Sequence, residues 1–148
     1  MSGLALSLDA LGDTRGLWDD WLAQAAGVLG IDVAALPADR GAAAVALDAA
    51  GAGNWRVLLA RYAADRAPVY LRPAAEASAA LRRLAAAGTR VVVFTDAPVE
   101  LAELALAHLG AARRVRGLEC GEGARERALT VAGPGAHVVA ARAELVAS

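Results

Sequence analysis

Apolar positions along the chain change period several times, and each change marks an element. Residues 3–8, GLALSL, run apolar up to Asp9, and Leu11-Gly12-Asp13 reads as a turn, so the chain is expected to open with a buried strand and a loop. From Thr14 the spacing becomes helical: Leu17, Trp18, Trp21, Leu22, Ala25, Val28 and Leu29 recur every three or four residues. Asp13 or Thr14 is placed to cap that helix and Gly30 to end it. An alanine-rich stretch over 33–50 predicts a second helix, closed by the Gly51-Ala52-Gly53 turn. Asn54 caps a third, with Trp55, Leu58, Leu59 and Tyr62 on one face, and Ala67-Pro68 is expected to stop it. Pro73 suits the first turn of a fourth helix over 74–87, and Gly88 its end.

The second half alternates more simply. Residues 89–95, TRVVVFT, form a β-branched run suited to burial on both faces of a sheet. A helix is predicted from Pro98 to Leu109, a weaker strand over Arg113–Leu118, a helix over 121–132, a short strand over 136–140 (AHVVA) and a terminal turn of helix. One strand, several helices, then strand–helix–strand–helix–strand predicts an α/β fold: a parallel sheet with a mostly helical insertion after its first strand. The expected division is an α/β core over 1–13 and 68–148, with the insertion over 14–67.

Composition narrows the class. The chain has 148 residues, enough for one domain with a real core. Its hydrophobic fraction of 57% is largely alanine, and no window of about 18 residues runs apolar without a charge or turn former. The start lacks a basic region, and Asp9 interrupts its apolar run, so no signal peptide is expected and a cytoplasmic location is. With 15 basic against 16 acidic residues, nothing favours nucleic acid or an anionic membrane as a partner. Every basic residue is arginine, so no lysine amine is available to hold a phosphate or form a Schiff base. Cys120 is the single cysteine, which excludes an internal disulfide.

The layout and two stretches, VYLRPAAEASAALRRLAAAGTRVVVFTDAP (69–98) and VELAELALAHLGAARRVRGLECGEG (99–123), resemble the haloacid dehalogenase (HAD) superfamily. The likeness is to its phosphoglycolate phosphatase-like members with a helical cap, and it spans essentially the whole chain. It implies a Rossmann-like core, Mg2+ as cofactor and a small phosphorylated molecule as ligand. In such enzymes four loops at the carboxyl ends of the strands converge on the phosphate. The first carries a nucleophilic aspartate and, two residues later, an acid that protonates the leaving group. The second carries a Ser or Thr hydroxyl, the third a lysine, and the fourth one or two acids for magnesium. Phosphoryl transfer depends on this positioning and charge neutralisation.

Matched to that pattern, Asp9 at the end of the first strand is the candidate nucleophile and a candidate metal ligand. Leu11 stands two residues on, where the general acid belongs; Asp13 is the candidate substitute, with helix capping as its other reading. Thr95 matches the phosphate hydroxyl, followed by Asp96 where the family often has asparagine. Arg125 is the candidate for the lysine's charge, with Arg127 beside it, although Glu122 and Glu126 also suit surface pairing with both. Val139 and Ala140 fall where Gly and Asp are expected in the fourth motif; Glu144 is the one remaining candidate metal acid. Asp9 and Glu144 make a thin set for near-octahedral Mg2+, so weak or no binding is expected. His108, His137 and Cys120 read as structural residues, and the tryptophans at 18, 21 and 55 as core of the insertion or lining of an aromatic pocket.

Two functions follow. One is a HAD-fold protein with a degenerate site and little or no phosphatase activity, acting as a binding or regulatory module. The other is a Mg-dependent hydrolase of a small phosphate ester, with Asp9 as nucleophile and Asp13 and Glu144 as displaced partners. A homodimer through the tryptophan-bearing insertion is compatible with either.

Overall fold

The computed structural model describes residues 2–148. Strands β1 (Gly3–Ser7), β2 (Arg90–Thr95), β3 (Gly117–Cys120) and β4 (His137–Val139) form one sheet in the order β3-β2-β1-β4, all parallel. Leu4, Ala5 and Leu6 are buried in β1, as are Val91, Val92 and Val93 in β2, because these two central strands are covered on both faces. The predicted α/β architecture is therefore the observed one.

Seven helices complete the chain: α1 (Arg15–Leu29), α2 (Arg40–Ala49), α3 (Trp55–Tyr70), α4 (Ala75–Ala86), α5 (Val99–His108), α6 (Ala124–Ala132) and α7 (Arg142–Ala147). Helix α1 ends where expected, with Gly30 in the left-handed region at φ 67°. Three expectations need correction. The helix predicted over 33–50 is split: Val33–Ala35 make one 3-10 turn, and α2 starts only after Pro37, capped by Asp39, whose carboxylate accepts from the Ala42 N–H at 2.8 Å. Pro68 lies inside α3, which runs on to Tyr70. A proline near a helix end removes one hydrogen bond, and the Leu71 N–H still closes on the Ala67 carbonyl at 2.8 Å. The third strand lies at 117–120 rather than 113–118, because residues 112–114 form a 3-10 turn.

Helices α1–α3 build an apolar cluster of their own around Trp18, Trp21, Trp55, Leu47 and Leu59, and it takes in Ala97 and Leu101 from the β2–α5 region. The ring centroids of Trp18 and Trp21 lie 5.4 Å apart, and those of Trp21 and Trp55 6.0 Å, both tilted. All three indoles are buried in this cluster, and Trp21 also lines a pocket with Leu58 and Tyr62. The insertion is thus seated on the same edge of the sheet where β1 and β2 end.

Candidate functional site

The carboxyl ends of β1, β2 and β3 open into a cleft of about 290 Å³, lined by Ser7, Asp9, Thr95, Asp96, Gly121 and Arg125 among others. Three of the residues singled out in the sequence, Asp9, Thr95 and Arg125, therefore share one cleft. Asp13 and Glu144 do not line it. The Asp13 carboxylate accepts from the Arg15 N–H at 2.9 Å, which is the capping role. Glu144 is exposed on α7, away from the lining. The expected pairings of Asp9 with Asp13 as acid and with Glu144 as metal ligand are not assembled within this cleft.

Strand β1 stops at Ser7, and Asp9 follows in a 3-10 turn over Leu8–Ala10. The placement of Asp9 at the strand end is thus corrected by two residues. The turn closes because the Leu11 and Gly12 N–H groups both donate to the Leu8 carbonyl, at 2.9 and 3.0 Å. Arg142, at the start of α7, donates to the Ala10 and Leu11 carbonyls at 3.1 Å each and holds the turn from below. The Ser7 hydroxyl accepts from the Asp9 N–H at 3.3 Å.

The centre of the arrangement is a residue that the sequence reading passed over. Arg40, the first residue of α2, is 1% exposed. Its Nε and Nη2 donate to Asp96 Oδ1 at 3.0 and 2.8 Å. Its own backbone N–H donates to Asp96 Oδ2 at 2.9 Å, while Nη1 reaches Thr14 Oγ1 at 2.6 Å and Nη2 reaches Thr95 Oγ1 at 3.4 Å. Arg15 adds a weaker contact to Asp96 Oδ2 at 3.4 Å. Thr14 and Thr95, the two buried hydroxyls here, are thus both committed to Arg40, and Thr95 also accepts from the Ala97 N–H at 3.2 Å. Gly41 makes this approach feasible: a Cβ there would fall 2.6 Å from the Glu122 backbone nitrogen, so the start of α2 lies flush against the β3–α6 loop. A signal for Arg40 did exist. A cation in the first turn of a helix opposes the helix dipole and implies a partner elsewhere. Asp96 is that partner.

Charge follows from this geometry. Burial alone would raise the Asp96 carboxyl, but the Arg40 backbone N–H and guanidinium reverse that and hold it below the ordinary carboxylate value. Asp9 moves the other way: desolvation raises it, Arg40 opposes, and the charges of Asp13 and Asp96 raise it further. A carboxyl whose folded pKa is raised adds stability while protonated and loses it as pH rises through that pKa. Asp9→Asn is therefore expected to raise the melting temperature at pH 7 and to have no such effect in acid below the ordinary Asp value, checked by thermal melts at both pH values. An equal shift at both would show that the carboxylate is not under strain.

The remaining candidates are structural. Arg127 donates to Glu119 Oε1 at 2.9 Å and to the Glu122 and Cys120 carbonyls at 2.5 and 2.6 Å, so it clamps the β3–α6 loop rather than pairing with Glu122 or Glu126 side chains. The Cys120 thiol is pushed up to about 11, chiefly by burial, and so stays protonated at neutral pH. His108 bonds the Leu71 carbonyl at 3.1 Å. His137 is exposed on β4. Among the described residues no group of three or more His, Cys, Asp and Glu side chains is placed to hold a metal ion. No helix among them is long and apolar enough to cross a membrane.

No family model matches the sequence, and no curated protein does. Among solved structures the chain is similar to one described as a putative beta-phosphoglucomutase from Thermotoga maritima, with a TM-score of 0.56 at 15% identity, over 93% of this chain and 75% of that one. The fold is HAD-like. At that identity the likeness extends to the fold alone. Strand β1 ends at Ser7, and Asp9 follows two residues later. The residues following β4 are Ala140 and Ala141.

Proposed function

We propose that this chain is a HAD-fold binding or regulatory module with little or no phosphohydrolase activity. The observation that carries the reading is the end of β1 at Ser7. Asp9 is then in the place of the proton donor and a neutral hydroxyl in the place of the nucleophile, with no aspartate to attack phosphorus. Ala140 and Ala141 remove the carboxylates that would bring magnesium to the same spot, and charge neutralisation is most of what phosphoryl transfer asks of a protein. The cleft lining points the same way. Asp9, Asp39, Asp96, Glu122 and Glu126 stand against Arg125, a balance that repels a phosphate dianion.

The convergence of Asp9, Thr95 and Arg125 on one cleft is what favours the alternative, a hydrolase of a small phosphate ester. One assay separates the two. With p-nitrophenyl phosphate and magnesium, the purified protein is expected to show no turnover above a mock preparation. Turnover that copurifies with the protein and vanishes in Asp9→Asn would overturn the proposal.

A further inference from the structure

A buried arginine next to a threonine hydroxyl, at the strand ends of an α/β sheet, is the chemistry of an oxyanion receptor: a fork of donors in a low-dielectric setting beside a second donor. Here the receptor is already filled. Arg40 is buried, whereas Thr95 and Asp96 face the cleft, so the Asp96 carboxylate stands between the guanidinium and any ligand that enters. It is held as a bound oxyanion would be. One oxygen accepts from Arg40 Nε and Nη2, and the other from the Arg40 backbone N–H and Arg15 Nη2. The receptor and its occupant come from different parts of the chain, Arg40 from the helical insertion and Asp96 from the end of β2, 56 positions apart.

We propose that Asp96 is a built-in occupant of an oxyanion site whose receptor is Arg40, so that phosphate or sulfate binds in this cleft only when that carboxylate is removed. The proposal rests on the reading of the chain as a non-catalytic module, since a cleft closed by Asp96 admits no phosphate ester. It makes the Arg40–Asp96 pair both the seal of the site and the tie between α2 and the sheet.

The test is rescue by inorganic phosphate, followed by thermal melts against chloride at matched ionic strength. In Asp96→Ala the unpaired buried guanidinium lowers the melting temperature, and phosphate is expected to restore part of it in a saturable manner. The affinity should be at least about tenfold above any seen for the wild type. Sulfate should act like phosphate, and the double variant Arg40→Met/Asp96→Ala should lose the response. Where Asp96→Ala does not fold, Asp96→Ser serves, because its shorter polar side chain leaves the Arg40 guanidinium uncovered. The wild type supplies an independent reading: the Arg40 Nε–H resonance should stay unmoved through a phosphate titration. Saturable movement of that resonance would overturn the proposal. So would a folded Asp96 variant indifferent to phosphate, a result that leaves the non-catalytic reading intact; turnover by the wild type in the phosphatase assay would overturn both, because it needs a phosphoryl group in the sealed cleft.

Discussion

Arg40→Met is expected to destabilise the protein by about 3 kcal/mol, near the lower end of what breaking a buried ion pair costs. The lower end applies because Asp96 is 28% exposed and keeps some solvent screening, although Arg40 itself is sealed. Methionine fills most of the volume, so the loss reports the stranded carboxylate and the two hydroxyls, Thr14 and Thr95, that lose their donor. For a domain of this size the melting temperature should fall by roughly 6–12 °C. The pH dependence offers a second readout with a definite sign. Asp96 is held below its ordinary value of 3.8, so its contribution is present above that pH and is lost as the pH falls through the lowered value. In Arg40→Met that acid limb should shrink, because the guanidinium's share of the lowering is lost while the backbone N–H of residue 40 and Arg15 keep theirs. Arg40→Lys retains the charge but not the fork that reaches Asp96 and Thr14 together, and is expected to fall between the two. Chemical denaturation of the three proteins across pH measures all of this. A loss below about 1 kcal/mol in Arg40→Met would show the pair to be a spectator.

Trp55→Ala should cost about 3–5 kcal/mol, the range for emptying a large aromatic site in a core. Trp55 is 2% exposed, packs on Trp21, donates its indole N–H to Asp48 Oδ1 at 2.9 Å and lies under the Arg56 guanidinium, 4.4 Å from the ring centroid. Trp55→Phe keeps most of the packing and loses that hydrogen bond, a loss of about 1 kcal/mol that compounds with a smaller packing deficit. The distribution of the damage is as informative as its size. The cluster around Trp55 belongs to α1–α3, whereas the sheet has its own core around Leu4, Leu6, Val91 and Val93. Hydrogen exchange should therefore accelerate first in α1–α3, with β1 and β2 amides still protected. Uniform acceleration would mean that the insertion and the sheet unfold as a single cooperative unit.

How much of this was legible depended on how local each determinant was. The β-branched run Val91–Val93 and the indole spacing of α1 and α3 are short-range patterns, and they placed β2, α1 and the start of α3 correctly. Element ends were less legible. A helix over 33–50 failed because Pro37 and the Asp39 cap act within two residues, against a run of alanines that favours helix everywhere. The strand at 113–118 slid because Val115 and Leu118 fit several registers, and pairing with β2 chose the one that sets Cys120 beside Thr95.

The site followed the same division. Thr95 was readable because it ends a strand that the sequence marks clearly. Asp9 was misplaced by two residues because GLALSLD carries no mark of where a strand stops and a 3-10 turn begins. That slip moved Asp9 from the strand end into the turn that follows it.

By itself the sequence determined the alternation of strands and helices, the helical insertion after the first strand, and the absence of lysine. These are matters of composition and short-range period. Only the tertiary structure decided that Ser7 stands at the strand end and that Arg40 meets Asp96. Hydrogen bonding between strands sets the first. The second is a pairing of residues 56 apart, driven by the need to neutralise a buried guanidinium; a cation in the first turn of α2 signals a partner, but nothing local names that partner as Asp96.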